Sequence, residues 1–267
     1  MSEAVEQIKS FLKNPRIKKI LIAEDHFDYA PKEALIDLFD EIAQGSFICQ
    51  RKIILILEHI STMDQNQIND GVEKKQFNTS IETVFKKCPF VEPQNLEVNM
   101  YVTLAQKAIH TGILIKATEN QNTGYNSLIT SSCMNRVRTA NPVFEEAFHD
   151  VFFKTENVVA IFLGGAAHIV DMHPNSQREF SPGSIMGLKT ALNEQGDTVS
   201  LFIYDEGGNH LNKNPTNSEP SISIEGYYGN NNFDLSICVK PQKKQLRKED
   251  SSRAAMSSLP PLFMYLK

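Results

Sequence analysis

The stretch "KKILIAEDHFDY", Lys18 to Tyr29, decides how this sequence folds. Ile20, Leu21, Ile22 and Ala23 are apolar without a break, and Glu24, Asp25 and His26 follow at once. A strand with one wet face alternates apolar and polar residues. An unbroken apolar run suits a strand buried on both faces, as in a parallel sheet. Four further runs have this form: "KIILILEHI" from Lys52, "GILIKATEN" from Gly112, "NVVAIFLGGAAH" from Asn157 and "TVSLFIYDE" from Thr198.

Helical patterns separate these runs. "APKEALIDLFDEIAQG" puts Leu35, Leu38, Phe39 and Ile42 on one face, with Pro31 near the start and Gly45 at the end. "VNMYVTLAQKAIHTG" ends at Gly112, "NPVFEEAFHDVFFK" places Pro142 at a first helical turn, and "PGSIMGLKTALNEQG" ends at Gly196. Val5, Ile8, Phe11 and Leu12 mark a short amphipathic helix at the N-terminus. Strands alternating with helices predict an α/β fold, a mostly parallel central sheet flanked by helices. Residues 61–99 read as a polar insertion with a helix near Thr79 to Lys87. "SISIEGYY" and "FDLSICVK" alternate in polarity around Gly229 to Asn232 and predict a C-terminal antiparallel edge hairpin over 221–240. The reading is one α/β domain over 1–240, then a basic and apolar tail over 241–267.

Composition narrows the function. The net charge of -5 argues against a general nucleic-acid binder. Cys49, Cys88, Cys133 and Cys238 lie far apart with no C-x-x-C pair, which argues against a zinc knuckle or a disulfide framework and fits reduced thiols. Nothing marks Cys133 as an activated nucleophile. No stretch approaches the roughly 18 apolar residues of a membrane span. The N-terminus has no apolar signal core, so the expected location is the cytoplasm, or export by a non-classical route.

The chemistry gathers at strand ends. Glu24 and His26 follow the first run, Glu58 and His59 the second, Thr118 and Glu119 the third, His168 the fourth, and Asp205 and Glu206 the fifth, with His210 beyond. In a parallel sheet those ends share one rim, where ligands bind. Single polar strand ends need no explanation; His and Glu recurring together at separate ends point to one site. Carboxylate and imidazole suit a divalent metal such as zinc or manganese, with His26, Glu58 and His168 as the ligands. Without metal, a carboxylate beside a His orients it as a general base. The glycines of "GGAAH" allow close backbone approach, and Gly165 there is a candidate substrate contact through exposed N–H groups. Arg136, in "SSCMNRVRTANPVFEEAF", is a candidate for offsetting the carboxylates or binding an anionic group, and Arg138 is a second. Tyr125 is a candidate site aromatic. His110, His149 and His173 read as incidental.

The motif order resembles the superfamily of erythromycin esterases, ChaN-like haem-binding proteins and the TIKI/TraB group. "AEDH", Ala23 to His26, resembles the first Gly-x-x-His-type motif, with Ala where Gly is frequent. "LEH" supplies Glu58, "NRVRTAN" the arginine-bearing helix start, and "GAAH", Gly165 to His168, the second Gly-x-x-His. The resemblance covers residues 18–206. It implies an α/β sheet with His and Glu at one rim, and either ester hydrolysis with a His base, metal-dependent proteolysis or haem binding. The leading reading is an esterase- or protease-type hydrolase using Glu24, His26, Glu58, His168 and Arg136, with His59, Glu119, Tyr125, Arg138, Gly165, Asp205 and Glu206 towards a small-molecule or peptide substrate. The alternatives are a haem-, metal- or small-ligand-binding protein without turnover, and a bacterial effector-type module that binds a protein partner through the insertion or tail.

Overall fold

The computed structural model describes residues 2–24, 26, 28–87, 99–120, 133–172, 184–193, 195–205 and 233–239. Each unbroken apolar run forms a strand. These are β1 (Lys19–Glu24), β2 (Lys52–Ser61), β3 (Leu114–Glu119), β4 (Val158–Gly165) and β5 (Thr198–Asp205), and β6 (Leu235–Val239) follows. They form one six-stranded sheet in the order β3-β2-β4-β1-β5-β6, and every pairing is parallel.

Alternate residues of each strand serve opposite faces, which is why both must be apolar. Ile20 and Ile22 of β1, with Leu55, Ile161 and Leu201, pack on one face against α1 (Glu3–Lys13), α2 (Ala30–Ala43), α3 (Gln65–Lys74), α4 (Thr79–Lys86) and α5 (Met100–Thr111). Leu21 and Ala23, with Ile56, Ala160 and Phe162, pack on the other against α6 (Cys133–Lys154), α7 (Ala166–Ile169) and α8 (Leu188–Leu192). A fully buried Leu, Ile or Phe contributes roughly 1.5–3 kcal/mol, so these two layers dominate stability.

Topology places the site. From β1 the chain moves outward to β2 and β3, returns to β4 beside β1, and crosses to β5 on the far side. The direction of winding therefore reverses at β1. In open α/β sheets such a reversal leaves a crevice at the carboxyl ends of the strands.

Two helix expectations are corrected, while the C-terminal strand lies at the sheet edge as expected, with β6 running parallel to β5; the other half of the expected antiparallel hairpin, 221–228, lies outside the described residues, as does the tail. Ser200 sets β6 beside β5: its N–H and Oγ both bond Asp234 Oδ2, at 2.8 and 2.9 Å. Pro142 does not open a helix; α6 begins at Cys133 and carries Pro142 inside it. A proline there removes one intrahelical bond, and packing of Val137, Ala140, Phe144 and Phe148 offsets that loss. The helix expected before Gly196 shrinks to Leu188–Leu192. Upstream of it, Ile185 bridges to Met172, and a Cβ on Gly187 would sit 2.3 Å from the Ile169 carbonyl oxygen.

The insertion after β2 is largely helical where described. A 3-10 turn (Thr62–Asp64) leads into α3 and α4, which bury Ile68, Val72, Ile81, Val84 and Phe85. Gln65 covers the exposed edge of β3: its Nε2 donates to the Ile115 carbonyl and its Oε1 accepts from the Ala117 N–H, both at 2.8 Å. A side-chain amide thus stands in for a neighbouring strand.

Candidate functional site

The strand ends converge. Glu24, at the end of β1, is 1% exposed. Its Oε1 accepts from His26 Nδ1 at 2.9 Å and from the Tyr101 hydroxyl, and Lys32 Nζ lies 2.6 Å from its Oε2. Lys32 also donates to the carbonyls of His26 and Asp28 and sits over the Tyr101 ring. Asn99 fixes Tyr101 in turn, capping α5 by accepting from the Tyr101 and Val102 N–H groups.

At the end of β2 the backbone bulges. The β2–β3 register shifts between Leu57 and Ser61, and His59 takes φ 70, the left-handed region that a side chain other than glycine or Asn seldom occupies. In a regular strand neighbours point to opposite faces. Here Glu58 and His59 both enter the site, with His59 Nε2 3.2 Å from Glu58 Oε1 and 3.3 Å from His26 Nε2. Strained backbone of this kind gathers at functional sites.

Glu58 is the hub. Its Oε2 accepts the Gly165 N–H at 2.7 Å, and its Oε1 lies 3.0 Å from His168 Nε2 and 3.3 Å from Arg136 Nη2. Arg136 also grips both oxygens of Glu119. Asn141, next to Ala140 on α6, holds His168: its Oδ1 accepts from Nδ1 at 2.8 Å, while its amide donates to the carbonyls of His168 and Met186. Gly164 and Gly165 permit this crowding. A Cβ on Gly165 would lie 2.9 Å from His26 Nε2, and one on Gly164 2.7 Å from Glu58 Oε2. The chain Glu24–His26–His59–Glu58–His168–Asn141 therefore runs unbroken across the rim, from the α2 and α5 face to the α6 and α7 face.

Its electrostatics are uneven. Burial raises the Glu24 carboxyl, but Lys32 and His26 outweigh it and hold the group at about 2. Burial likewise opposes the charge on Glu58, and His168 and His59 outweigh it, leaving Glu58 well below the carboxylate range. Burial lowers His26, yet the Glu24 hydrogen bond and the Glu58 charge raise it above its ordinary value. His59 goes the other way. Burial drives it well below the usual imidazole range; Glu58 opposes this, and positive charge at His26 and Arg136 reinforces it. Two adjacent imidazoles are thus split, one inclined to hold a proton and one kept neutral. His26 is also the accessible one, with 19% of its side chain exposed against 1% for His59 and 5% for His168.

The fold is one found in bacterial toxin domains. RRSP, a MARTX toxin effector domain from Vibrio vulnificus, matches at 17% identity and a TM-score of 0.51, over 76% of this chain and 36% of that one. The C-terminal region of Pasteurella multocida toxin, in which a thiol-protease-like catalytic triad is described, matches at 12% and 0.50, over 78% and 25%. ChaN of Campylobacter jejuni, which binds haem cofacially, matches at 10% and 0.41, over 73% and 85%. At these identities the likeness is one of fold, and this chain corresponds to a part of each toxin structure. No protein-family model and no curated protein matches the sequence.

Of the residues singled out from sequence, Glu24, His26, Glu58, His59, Glu119, Arg136, Gly165 and His168 meet at the rim. Arg138 is exposed on α6, bonded to Asn135. Asp205 ends β5, and its side chain, with Tyr125, Glu206, His173 and His210, lies outside the described residues. Arg136 donates to the carboxylates of Glu119 and Glu58, and the Gly165 N–H donates to Glu58. Lys32, Tyr101 and Asn141 join the site although nothing in the sequence marks them. His26, Glu58 and His59 offer three donor atoms within 4.8 Å of one another, a grouping that could hold a metal ion, whereas His168 lies against Glu58. A cavity of about 560 Å³ opens between β3 and α6, lined by Lys116, Thr118, Asn120, Glu146, His149 and Asp150 among others. Glu24, His26, Glu58 and His168 do not line it. Among the described residues no helix is long and apolar enough to cross a membrane.

Proposed function

We propose that the protein is a hydrolase that cleaves an ester or amide with His26 as general base, oriented by Glu24. The observation that carries this is the Glu24–His26 pair. A buried carboxylate accepts the Nδ1–H hydrogen bond at 2.9 Å, which leaves Nε2 of the most accessible imidazole at the rim as the basic atom. In the reaction His26 removes a proton from water as the oxygen attacks the carbonyl carbon, and returns it to the leaving oxygen or nitrogen as the scissile bond breaks. Glu58, held by His168, His59 and Gly165, offsets the imidazolium formed in between. The toxin-domain fold fits an effector setting with a polypeptide substrate.

A second reading has its own observation. Two nitrogens about 2.0–2.1 Å from a tetrahedral zinc stand roughly 3.3–3.4 Å apart. His26 Nε2 and His59 Nε2 are 3.3 Å apart, and His59 Nε2 and Glu58 Oε1 3.2 Å. The donor set fits a divalent cation held by His26, His59 and Glu58, with Glu24 on the far nitrogen of His26. Such an ion would lower the pKa of a bound water.

The test is assay of purified protein on model esters and peptides, with metal analysis, chelation and a haem titration alongside. Loss of about 10²–10⁴-fold of turnover in His26→Ala is expected, and turnover that survives chelation selects the metal-free form. Full activity in His26→Ala would end the proposal. A Soret band without turnover would move the site to ligand binding.

A further inference from the structure

Lys32 occupies an unfavourable place. It is 2% exposed, and it lies in the first turn of α2, where the helix dipole disfavours a cation. An ammonium has three donors. Two carbonyls accept from it, Asp28 at 2.9 Å and His26 at 3.0 Å, and Glu24 Oε2 lies 2.6 Å from Nζ as an ion pair. The Tyr101 ring closes over Nζ, 4.8 Å from its centroid. Lys32 thus touches the carboxylate on His26 Nδ1, the His26 main chain and the main chain two residues on. The helix itself gives this loop no side-chain cap, since Tyr29 at its N-cap makes no such bond.

We propose that Lys32 is a positioning residue, which locks His26 by clamping the Glu24 carboxylate and the His26 and Asp28 carbonyls together, so that the imidazole keeps its proton on Nδ1 and presents Nε2 to the rim. This rests on His26 as the base, but its test does not depend on turnover. Groups around the clamp are Glu24 from β1, Asp28 from the loop, Tyr101 from α5 and, through His26, His59 and Glu58 from β2.

The test is long-range proton–nitrogen NMR of ¹⁵N-histidine-labelled full-length protein, recorded where His26 is neutral, with His26→Gln to assign its signals. The wild-type protein should show a single Nδ1–H tautomer for His26. Lys32→Met should give averaged tautomers at His26 while the His168 signals stay in place. Should Lys32→Met fail to fold because Glu24 is left buried and unpaired, the double variant Glu24→Gln/Lys32→Met, which leaves no charge unpaired, replaces it. With Lys32 gone the amide oxygen is free to accept from Nδ1, so averaged tautomers in the double variant report loss of the clamp rather than loss of the acceptor. A His26 spectrum in Lys32→Met or in the double variant identical to that of the wild-type protein overturns the proposal and leaves the hydrolase reading standing. With a substrate in hand, Lys32→Met should lower kcat on the order of 10²-fold with KM little changed, as misplacement of a catalytic group does. Loss of turnover with an unchanged His26 tautomer also overturns it.

Discussion

At the scale of single residues, the site is a set of buried charges, each answered by a neighbour. Glu24 shows the consequence for stability. Its carboxyl lies at about 2 in the fold and near 4.5 when free. The unfolded chain therefore binds a proton first as pH falls. Stability from this group is full above about pH 5 and is lost as pH drops towards 2, on the order of 3 kcal/mol in all. Glu24→Gln should lower stability at neutral pH and flatten the acid limb of an unfolding-free-energy profile. His26 gives the kinetic counterpart. A base works when neutral, so if His26 is the base proposed, its raised pKa predicts that kcat/KM climbs with pH through a point above the ordinary histidine value of 6.5. In Glu24→Gln that limb should move to lower pH. Sequence reveals the acceptors of this network better than its donors. Glu24, Glu58 and His168 stand out because they interrupt apolar runs. Lys32 reads as one more charge on an exposed helical turn, Tyr101 as one more apolar helix position and Asn141 as a residue before proline; burial comes from contacts that sequence order does not show.

At the scale of elements, the turn after β4 and the edge of β3 carry the sharper expectations. Gly165→Ala places a methyl 2.9 Å from His26 Nε2, so it should displace the imidazole and abolish turnover while leaving the thermal midpoint nearly unchanged. Gly164→Ala meets the Phe162 ring at 2.6 Å as well as Glu58, and should destabilise the fold by about 1–3 kcal/mol. Gln65→Ala removes two bonds to the β3 edge. A loss of about 1–3 kcal/mol is expected, with faster hydrogen exchange at the Ala117 amide and a tendency to associate edge to edge. The strands are legible because burial on both faces leaves a continuous apolar signature. The start of α6 is not, because Pro142 has the chemistry of a first turn and only packing of Val137 and Ala140 carries the helix past it. The direction of β6 is not either: alternation reports that one side is wet, not which way a strand runs.

At the scale of the whole molecule, the site needs both faces of the sheet. Lys32 and Tyr101 approach from one, Arg136, Asn141 and His168 from the other, and the rim of β1, β2 and β4 joins them. β1 itself pairs only with strands far along the chain, Ile20 lying beside Ile161 of β4 and Val199 of β5. A fragment ending at Lys154 retains β1, β2 and β3 but lacks both neighbours of β1. It should give no cooperative thermal transition and should aggregate, whereas a chain through Val239 should melt in one step. The same pairing sets an order of events during synthesis. Of the strands in this sheet, β1 is made first and waits longest for its neighbours, its two hydrogen-bonding edges and its Ile-Leu-Ile surface uncovered until β4 and β5 have followed. Contacts so distant in sequence make for slow folding, and a growing chain of this kind is one that a holding chaperone should grip at residues 19–23.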